Sequence, residues 1–205
     1  MWRPFEIRPL TYATFWLNER MGGENPVGYH AVNLLLHLIA TFLLFDALKQ
    51  IVSLQAAFIA SAIFAVHPFQ AEPVNYVFAR SSLIATLLCL AALASWLRGH
   101  LWWVTAWFAA ALLAKEECVA FPVFLLLLHF SRSRDRTELK PIAAMFALSI
   151  AAGIRVLLAV QNTAGSGAGA QASITWQAYL LTQGAVILRY LRMLIVPLGF
   201  TVDAE

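Results

Sequence analysis

Basic and acidic side chains recur in the polar segments that separate the apolar stretches of this chain. Seven of them are candidates for chemistry: Arg8, His30, His67, Glu72, Arg80, Lys115 and Glu116. Arginine binds a phosphate group with two parallel hydrogen bonds, and lysine binds it as a point charge. A carboxylate among such cations can act as a general base or as a metal ligand. The set therefore suits a phosphate-bearing substrate.

Most of these residues also have a purely structural interpretation. Glu72 and Arg80 suit a salt bridge within one loop, and Lys115 and Glu116 suit a membrane-edge cation with its counter-ion. His67 precedes a proline and suits the cap of a helix end. Taken together, the residues favour a functional face over a set of unrelated structural contacts.

Other possible ligand groups are weaker. His37 lies one heptad after His30, with Asn33 between them, and such a stripe is more typical of hydrogen bonds between helices than of a metal site. Glu72 and His67 offer two metal ligands, fewer than a zinc site uses. We therefore assign no cofactor and no metal site, and a divalent cation stays open.

The composition places the chain in a membrane. Of its 205 residues, 61% are hydrophobic and 12% are charged, and mean hydropathy is +0.73. Soluble proteins carry roughly twice that share of charge. The net charge of +3 is scattered over short loops, so lipid headgroups are expected as partners and nucleic acid is not. Nucleotide-binding and soluble-hydrolase motifs are absent from the sequence, which disfavours an ATP-driven pump.

The apolar stretches predict one all-α membrane domain over residues 1–205. About six transmembrane spans are expected, at residues 29–48, 53–66, 81–97, 101–114, 118–130 and 141–160. We expect 1–27 to form an outer loop with a short helix near 12–21, 28–160 to form the bundle, and 161–173 to be a flexible linker. The segment 174–205 is predicted to lie at the interface or to re-enter, because Arg189 and Arg192 would be costly in mid-bilayer.

The basic loop SRSRDRTELK at 131–140 is predicted to face the cytoplasm. Alternation of the spans then places the 67–80 loop, the 115–117 turn and the N-terminal segment outside. All the candidate residues for chemistry would share that outer face.

Five segments, taken in order, resemble the GT-C membrane glycosyltransferases. They are RPLTYATFWLN (8–18), NPVGYHAVNLLLH (25–37), AVHPFQAEPVNYVFARSSLIA (65–85), LLAKEE (112–117) and RYLRMLIVPLGFTVD (189–203). The nearest likeness is to the transmembrane and tetratricopeptide-repeat O-mannosyltransferases and their bacterial relatives. The segments extend over nearly the whole chain.

This resemblance implies transfer of a sugar, mannose being the expected one, from a polyprenyl-phosphate carrier to a protein hydroxyl. It implies that Arg8, Arg80 and Lys115 neutralise the carrier phosphate, and that Glu116 orients Lys115. His67 and Glu72 would line the pocket, with Glu72 the candidate catalytic residue. The expected location is a cell membrane, such as the inner membrane of a bacterium, with the site facing the periplasm.

Two departures from the family pattern keep other interpretations open. Family members usually carry an acidic pair in an outer loop before the RPL segment, whereas Glu6 is the only carboxylate there. Relatives also continue beyond VDAE into more spans and repeats, so we expect a central fragment of a larger protein, whose activity in isolation is open. The alternatives are a non-catalytic protein that binds or translocates the lipid-linked sugar, and a membrane anchor for downstream repeats.

Overall fold

The computed structural model describes residues 8–132, 136–161 and 176–196, and every regular element in these ranges is helical. The α-helices are α1 (Pro9–Gly22), α2 (Pro26–Leu48), α3 (Leu54–Val66), α4 (Ala71–Asn75), α5 (Arg80–Leu97), α6 (Leu101–Ala114), α7 (Phe121–Arg132), α8 (Leu139–Gln161) and α9 (Trp176–Ile195). Short 3-10 helices lie at Pro68–Gln70, Val77–Ala79, Glu116–Ala120 and Arg136–Glu138. The predicted all-α class is confirmed.

Three segments of the described chain are long and apolar enough to cross a membrane: Pro26–Leu48, Val77–Leu97 and Leu139–Leu158. A fourth is possible if Leu54–Val66 and Pro68–Asn75, which meet at 51°, count as one broken span. The predicted number of six is not confirmed. With a rise of about 1.5 Å per residue, α6 and α7 reach about 20 Å, short of the roughly 30 Å hydrocarbon core.

Helix ends follow local signals in the sequence. Pro9 and Pro26 occupy the first turns of α1 and α2, where a missing N–H is harmless. The Asn25 side chain accepts a hydrogen bond from the Val27 N–H, which caps α2. Gly99 has a φ of +75°, a conformation that glycine adopts without strain, and it turns the chain from α5 into α6. These signals fix where the helices begin and end.

The centre of the bundle is α5, which packs against α2 on one side and α6 on the other. Alanines make these approaches close, because Ala47, Ala92, Ala111 and Ala114 are fully buried. Phe108 of α6 fills the core beside them. This packing brings the start of α5 and the end of α6 to the same end of the bundle, together with α1.

The C-terminal half of α9 contacts the segment that follows α3. The backbone carbonyl of Leu194 accepts a hydrogen bond from His67 at 3.1 Å, and the rings of Tyr190 and Phe69 meet edge to face. The predicted interfacial or re-entrant role of this helix stays a prediction. The predicted linker, apart from Gln161 at the end of α8, lies outside the described residues, as do residues 1–7 and 197–205.

Candidate functional site

Arg8 and Glu116 form an ion pair that joins the start of α1 to the turn after α6. Arg8 Nε lies 2.9 Å from Glu116 Oε2, and Arg8 Nη2 lies 2.5 Å from Oε1. This two-bond geometry suits a guanidinium facing a carboxylate. The hydrogen bonds from Arg8 hold the pKa of Glu116 below its usual value, and the same contact raises the pKa of Arg8. Both groups are therefore charged at neutral pH.

Lys115 lies beside this pair, but its partners differ from the expected one. Its ammonium is 2.9 Å from the hydroxyl oxygen of Ser82 and 2.9 Å from a carboxylate oxygen of Glu117. The resemblance implied that Glu116 orients Lys115. In the structure, Glu116 pairs with Arg8 and Glu117 pairs with Lys115. The two carboxylates differ because consecutive residues of a 3-10 turn point in different directions.

We call the space beside Lys115 the lysine cavity. Its volume is about 420 Å³, and its walls include Ser82, Cys89, Lys115, Glu117, Phe121 and Phe124. The charged groups are Lys115 and its partner Glu117, the hydroxyls of Ser82 and Thr86 lie in the same walls, and the two phenylalanines supply an apolar wall. One cation against an apolar wall suits an amphiphilic ligand with an anionic group.

A second space, the aromatic cavity, opens on the other side of the Arg8–Glu116 pair. Its volume is about 370 Å³, and its walls include Arg8, Tyr12, Phe15, Tyr76, Phe78 and Ser81. The two cavities are connected through the Arg8–Glu116 pair, because Arg8 lines the aromatic cavity and Glu116 directly follows Lys115 of the lysine cavity. Arg8 and Lys115 thus stand at the edges of neighbouring cavities.

Arg80 lies beneath the aromatic cavity and is fully buried. Its guanidinium donates to the side-chain oxygens of Asn33 and Asn18, at 2.7 and 2.9 Å, and to two backbone carbonyls. Its charge also lies 4.5 Å from the centre of the Phe15 ring. The predicted salt bridge with Glu72 is not formed. Arg80 ties α1 and α2 to α5, and its predicted contact with a carrier phosphate stays a prediction.

Glu72 and His67 belong to the segment between α3 and α5, and neither lines these two cavities. Glu72 is exposed on α4, and its side chain has no partner among the described residues. His67 caps a helix end as the structural interpretation predicted, since its Nδ1 accepts from the Phe69 N–H at 3.1 Å. With Nε2 in contact with the Leu194 carbonyl, both ring nitrogens have partners. The predicted pocket roles of both residues stay predictions.

Hydrogen bonds between helices account for the other polar stripe. His37 Nε2 contacts the carbonyl of Ala65 at 3.0 Å, and Asn33 donates to the carbonyl of Val74. The interhelical interpretation is confirmed for His37 and Asn33, whereas His30 is exposed. Within the ranges that the structure describes, no three His, Cys, Asp or Glu side chains are grouped to hold a metal ion.

Several residues of the site were missed from the sequence. Ser82 and Glu117, which hold Lys115, were not singled out, and neither was the set of aromatic rings. A signal existed for Tyr12 and Phe15, which are three residues apart on α1 and therefore share a face. No sequence signal distinguishes Glu116 from Glu117 as the partner of either cation.

A larger groove of about 630 Å³ lies at the opposite end of the bundle. Its walls include Leu101, Trp102, Thr105, Lys140 and Pro141, from the starts of α6 and α8. It contains one cation and none of the predicted site residues. We therefore place the candidate site at the end that carries Arg8 and Lys115.

Comparison with known proteins finds sequence similarity to protein O-mannosyl-transferases. It is 40% identical over 90 residues to a protein O-mannosyl-transferase of Caenorhabditis elegans, a match that covers 42% of this chain and 13% of that protein. It is 37% identical over 120 residues to Tmtc1 of Drosophila melanogaster, covering 55% and 14%. It is 39% identical over 93 residues to human TMTC1, covering 44% and 10%.

The match spans about a tenth to a seventh of the length of these curated relatives. No family model and no solved structure matches the chain. The family suggested by the five sequence segments is nevertheless the one that these relatives represent. Over the matched stretch, this chain is a relative of the protein O-mannosyl-transferases.

Proposed function

We propose that this chain forms the donor-binding part of a membrane glycosyltransferase that transfers mannose from a polyprenyl-phosphate carrier to a protein hydroxyl. The observation that carries the proposal is the lysine cavity, where a partly buried ammonium stands against an apolar wall. The relatives are named protein O-mannosyl-transferases, which supports mannose as the sugar and a protein as the acceptor. We place the reaction on the outer, periplasmic face of a cell membrane.

The lysine cavity fits the carrier because it offers a cation for the phosphate and an apolar wall for the isoprenoid chain. Two of the three N–H donors of Lys115 are used by Ser82 and Glu117, and the third remains for a phosphate oxygen. Phe121 and Phe124 offer an apolar surface for the first isoprene units. Arg8 pairs with Glu116, the residue that follows Lys115. It therefore adds a second positive charge next to the phosphate.

In the transfer step, the bond between the sugar C1 and the phosphate oxygen breaks, and its electron pair leaves with the polyprenyl phosphate. A new bond forms between C1 and the acceptor oxygen with inversion, and a carboxylate takes the hydroxyl proton. Lys115 and Arg8 stabilise the charge that develops on the leaving phosphate. Glu72, which lines neither cavity, is our candidate for the base on the resemblance, and its carboxylate is exposed with no partner among the described residues.

Binding of the carrier without transfer is the second candidate. It is favoured by one observation: the two carboxylates next to Lys115 are both occupied by cations, Glu116 by Arg8 and Glu117 by Lys115 itself. The hydrogen bonds from Arg8 hold the pKa of Glu116 below its usual value, which makes Glu116 a poor proton acceptor. The two candidates differ only in whether Glu72 takes a proton.

The proposal is tested by measuring the Kd of a short-chain prenyl phosphate for the purified chain in lipid nanodiscs. Lys115→Gln should weaken binding by about 10-fold or more, since a hydrogen bond to a charged group is worth roughly 1.5–3 kcal/mol. Lys140→Gln is the matched control, because Lys140 lies beside the larger groove at the other end. Equal effects of the two substitutions would refute the assignment of the phosphate site.

Transfer is tested separately in membranes that contain the full-length gene product. These are supplied with prenyl-phosphate mannose carrying a radiolabel, and labelled protein is counted. Glu72→Gln should abolish labelling and leave prenyl phosphate binding unchanged, whereas Glu24→Gln, another exposed outer carboxylate, should label normally. Normal labelling of protein in membranes that contain the Glu72→Gln variant would show that Glu72 is not the base. Binding without labelling in the unmodified protein would favour the second candidate.

A further inference from the structure

The aromatic cavity is a built pocket rather than a row of separate rings. The rings of Tyr12, Phe15, Phe78 and Tyr76 form a continuous chain, with centroids 5.8 to 6.3 Å apart at each step. They come from two separate parts of the chain, α1 and the loop before α5. Aromatic side chains that only anchor a protein at the headgroup level need no such mutual arrangement.

Phe15, within this chain of rings, is in contact with the buried guanidinium of Arg80. The guanidinium of Arg80 lies 4.5 Å from the ring centre, and its own position is fixed by hydrogen bonds to Asn33 and Asn18. A cation near the centre of a ring is attracted by the ring quadrupole, which favours that orientation of the ring. Arg80 is therefore a positioning residue, and the orientation of Phe15 is set before any ligand arrives.

Polar groups accompany the rings in the walls of the aromatic cavity. Arg8 offers a guanidinium edge, and Thr11, Tyr12, Tyr76 and Ser81 carry hydroxyls. A pocket of rings with a small number of placed donors suits a compact ligand that carries both C–H faces and hydroxyl groups. A hexose has that character, because its axial C–H groups stack on the electron-rich face of a ring while its hydroxyls accept and donate hydrogen bonds.

The aromatic cavity is connected to Lys115 through neighbouring residues. Ser81 and Ser82 are neighbours in α5, and Arg8 reaches the residue after Lys115. Arg8 lines the aromatic cavity and pairs with the residue that follows Lys115, so the Arg8–Glu116 pair connects the aromatic cavity to the lysine cavity. On these grounds we propose that Tyr12, Phe15, Tyr76 and Phe78 bind the hexose ring of the donor by stacking. This proposal rests on the proposed function and deepens it by assigning the sugar subsite.

The test compares two ligands that differ only in the sugar: a short-chain prenyl phosphate and the matching prenyl-phosphate mannose. Both are measured as Kd values on the purified chain in nanodiscs. Wild type should bind the sugar-bearing lipid about 10-fold more tightly, and Phe78→Ala should reduce that preference to about 2-fold, given the usual worth of an aromatic contact. The Kd of the sugar-free lipid should not change.

Three further variants sharpen the result. Phe78→Leu keeps apolar bulk without a ring face and should lose most of the preference, and Tyr76→Ala should repeat the effect of Phe78→Ala. Phe130→Ala is the matched control, because Phe130 is exposed to a similar extent, 70% against 63% for Phe78, but lies at the opposite end of the bundle. It should leave both Kd values unchanged.

Each other outcome overturns the proposal. Equal wild-type Kd values for the two lipids, or an equal loss for both in Phe78→Ala, would mean that the rings do not contact the sugar. An unchanged preference in Phe78→Ala and Tyr76→Ala would mean the same. Failure of wild type to bind either lipid would instead refute the proposed function, and the two failures are distinguishable because the sugar-free lipid reports on the phosphate site alone.

Discussion

The ion pair between Arg8 and Glu116 gives a stability prediction whose size follows from its geometry. Glu116→Gln keeps the shape of the side chain and removes its charge. Both side chains are about one-third exposed, at 32% and 35%. Exposed pairs contribute about 0.2–1 kcal/mol, and hydrogen bonds to buried charges contribute about 1.5–3 kcal/mol. An intermediate loss of about 1–2 kcal/mol is expected for this half-buried, two-bond pair.

The assay is thermal unfolding of the purified chain. For a chain of this size, 1 kcal/mol corresponds to roughly 2–4 °C in Tm, so Glu116→Gln should lower Tm by about 2–8 °C at pH 7. Arg8→Gln should have a similar effect, and the double variant should cost less than the two single effects added together.

The same pair predicts a pH dependence with a definite sign. The pKa of Glu116 is lowered in the folded state by the hydrogen bonds from Arg8. Its contribution is therefore complete above the unfolded pKa, about 4.3 for glutamate, and is lost as the pH falls through the lower folded value. The Tm difference between wild type and Glu116→Gln should persist from pH 5 to 8 and shrink below about pH 4. A difference that is constant down to pH 3, or additive single effects, would refute this account of the pair.

Two further predictions concern the support of the site. Arg80→Lys should destabilise the chain by about 2–4 kcal/mol, because a lysine cannot reproduce the guanidinium contacts with Asn33 and Asn18; a loss under about 1 kcal/mol in thermal or denaturant unfolding would contradict the burial argument. Gly28→Ala should be less stable than Gly22→Ala by about 1 kcal/mol, because the new Cβ would lie 3.2 Å from the Asn18 amide that helps hold Arg80, which offsets the gain in helix propensity. Gly22→Ala is its control, since nothing lies within 4 Å of a Cβ there, and equal Tm values for the two variants would contradict the prediction.

The sequence predicted the helices well where charged or capping residues flank an apolar stretch. The bounds of α6, between an RGH turn and a KEE turn, match the predicted 101–114, and the short helix near 12–21 is α1. Span number was harder to predict, because hydropathy measures apolar length and not the path of the backbone. The predicted stretch 118–130 divides at Phe121 into a 3-10 turn and α7, which shortens the helix that could cross.

The sequence predicted which residues of the site lie together better than it predicted the contacts between them. Arg8, Lys115 and Glu116 do lie together, since they occupy turns at one end of the bundle. Which carboxylate pairs with which cation depends on the rotation of one short turn, and sequence spacing does not contain that information. Arg80 was grouped with the outer cations, although the folding of α1 over it determines its burial.

The most direct test of the account is to find where the carrier binds. A prenyl phosphate with a diazirine in its first isoprene unit would be photolysed with the chain in nanodiscs, and labelled peptides would be identified by mass spectrometry. We predict labelling of the segment that carries Phe121 and Phe124, suppressed by excess unlabelled prenyl phosphate and reduced in Lys115→Gln. Suppressible labelling confined to the groove of Leu101, Trp102 and Lys140 would contradict the assignment of the donor site.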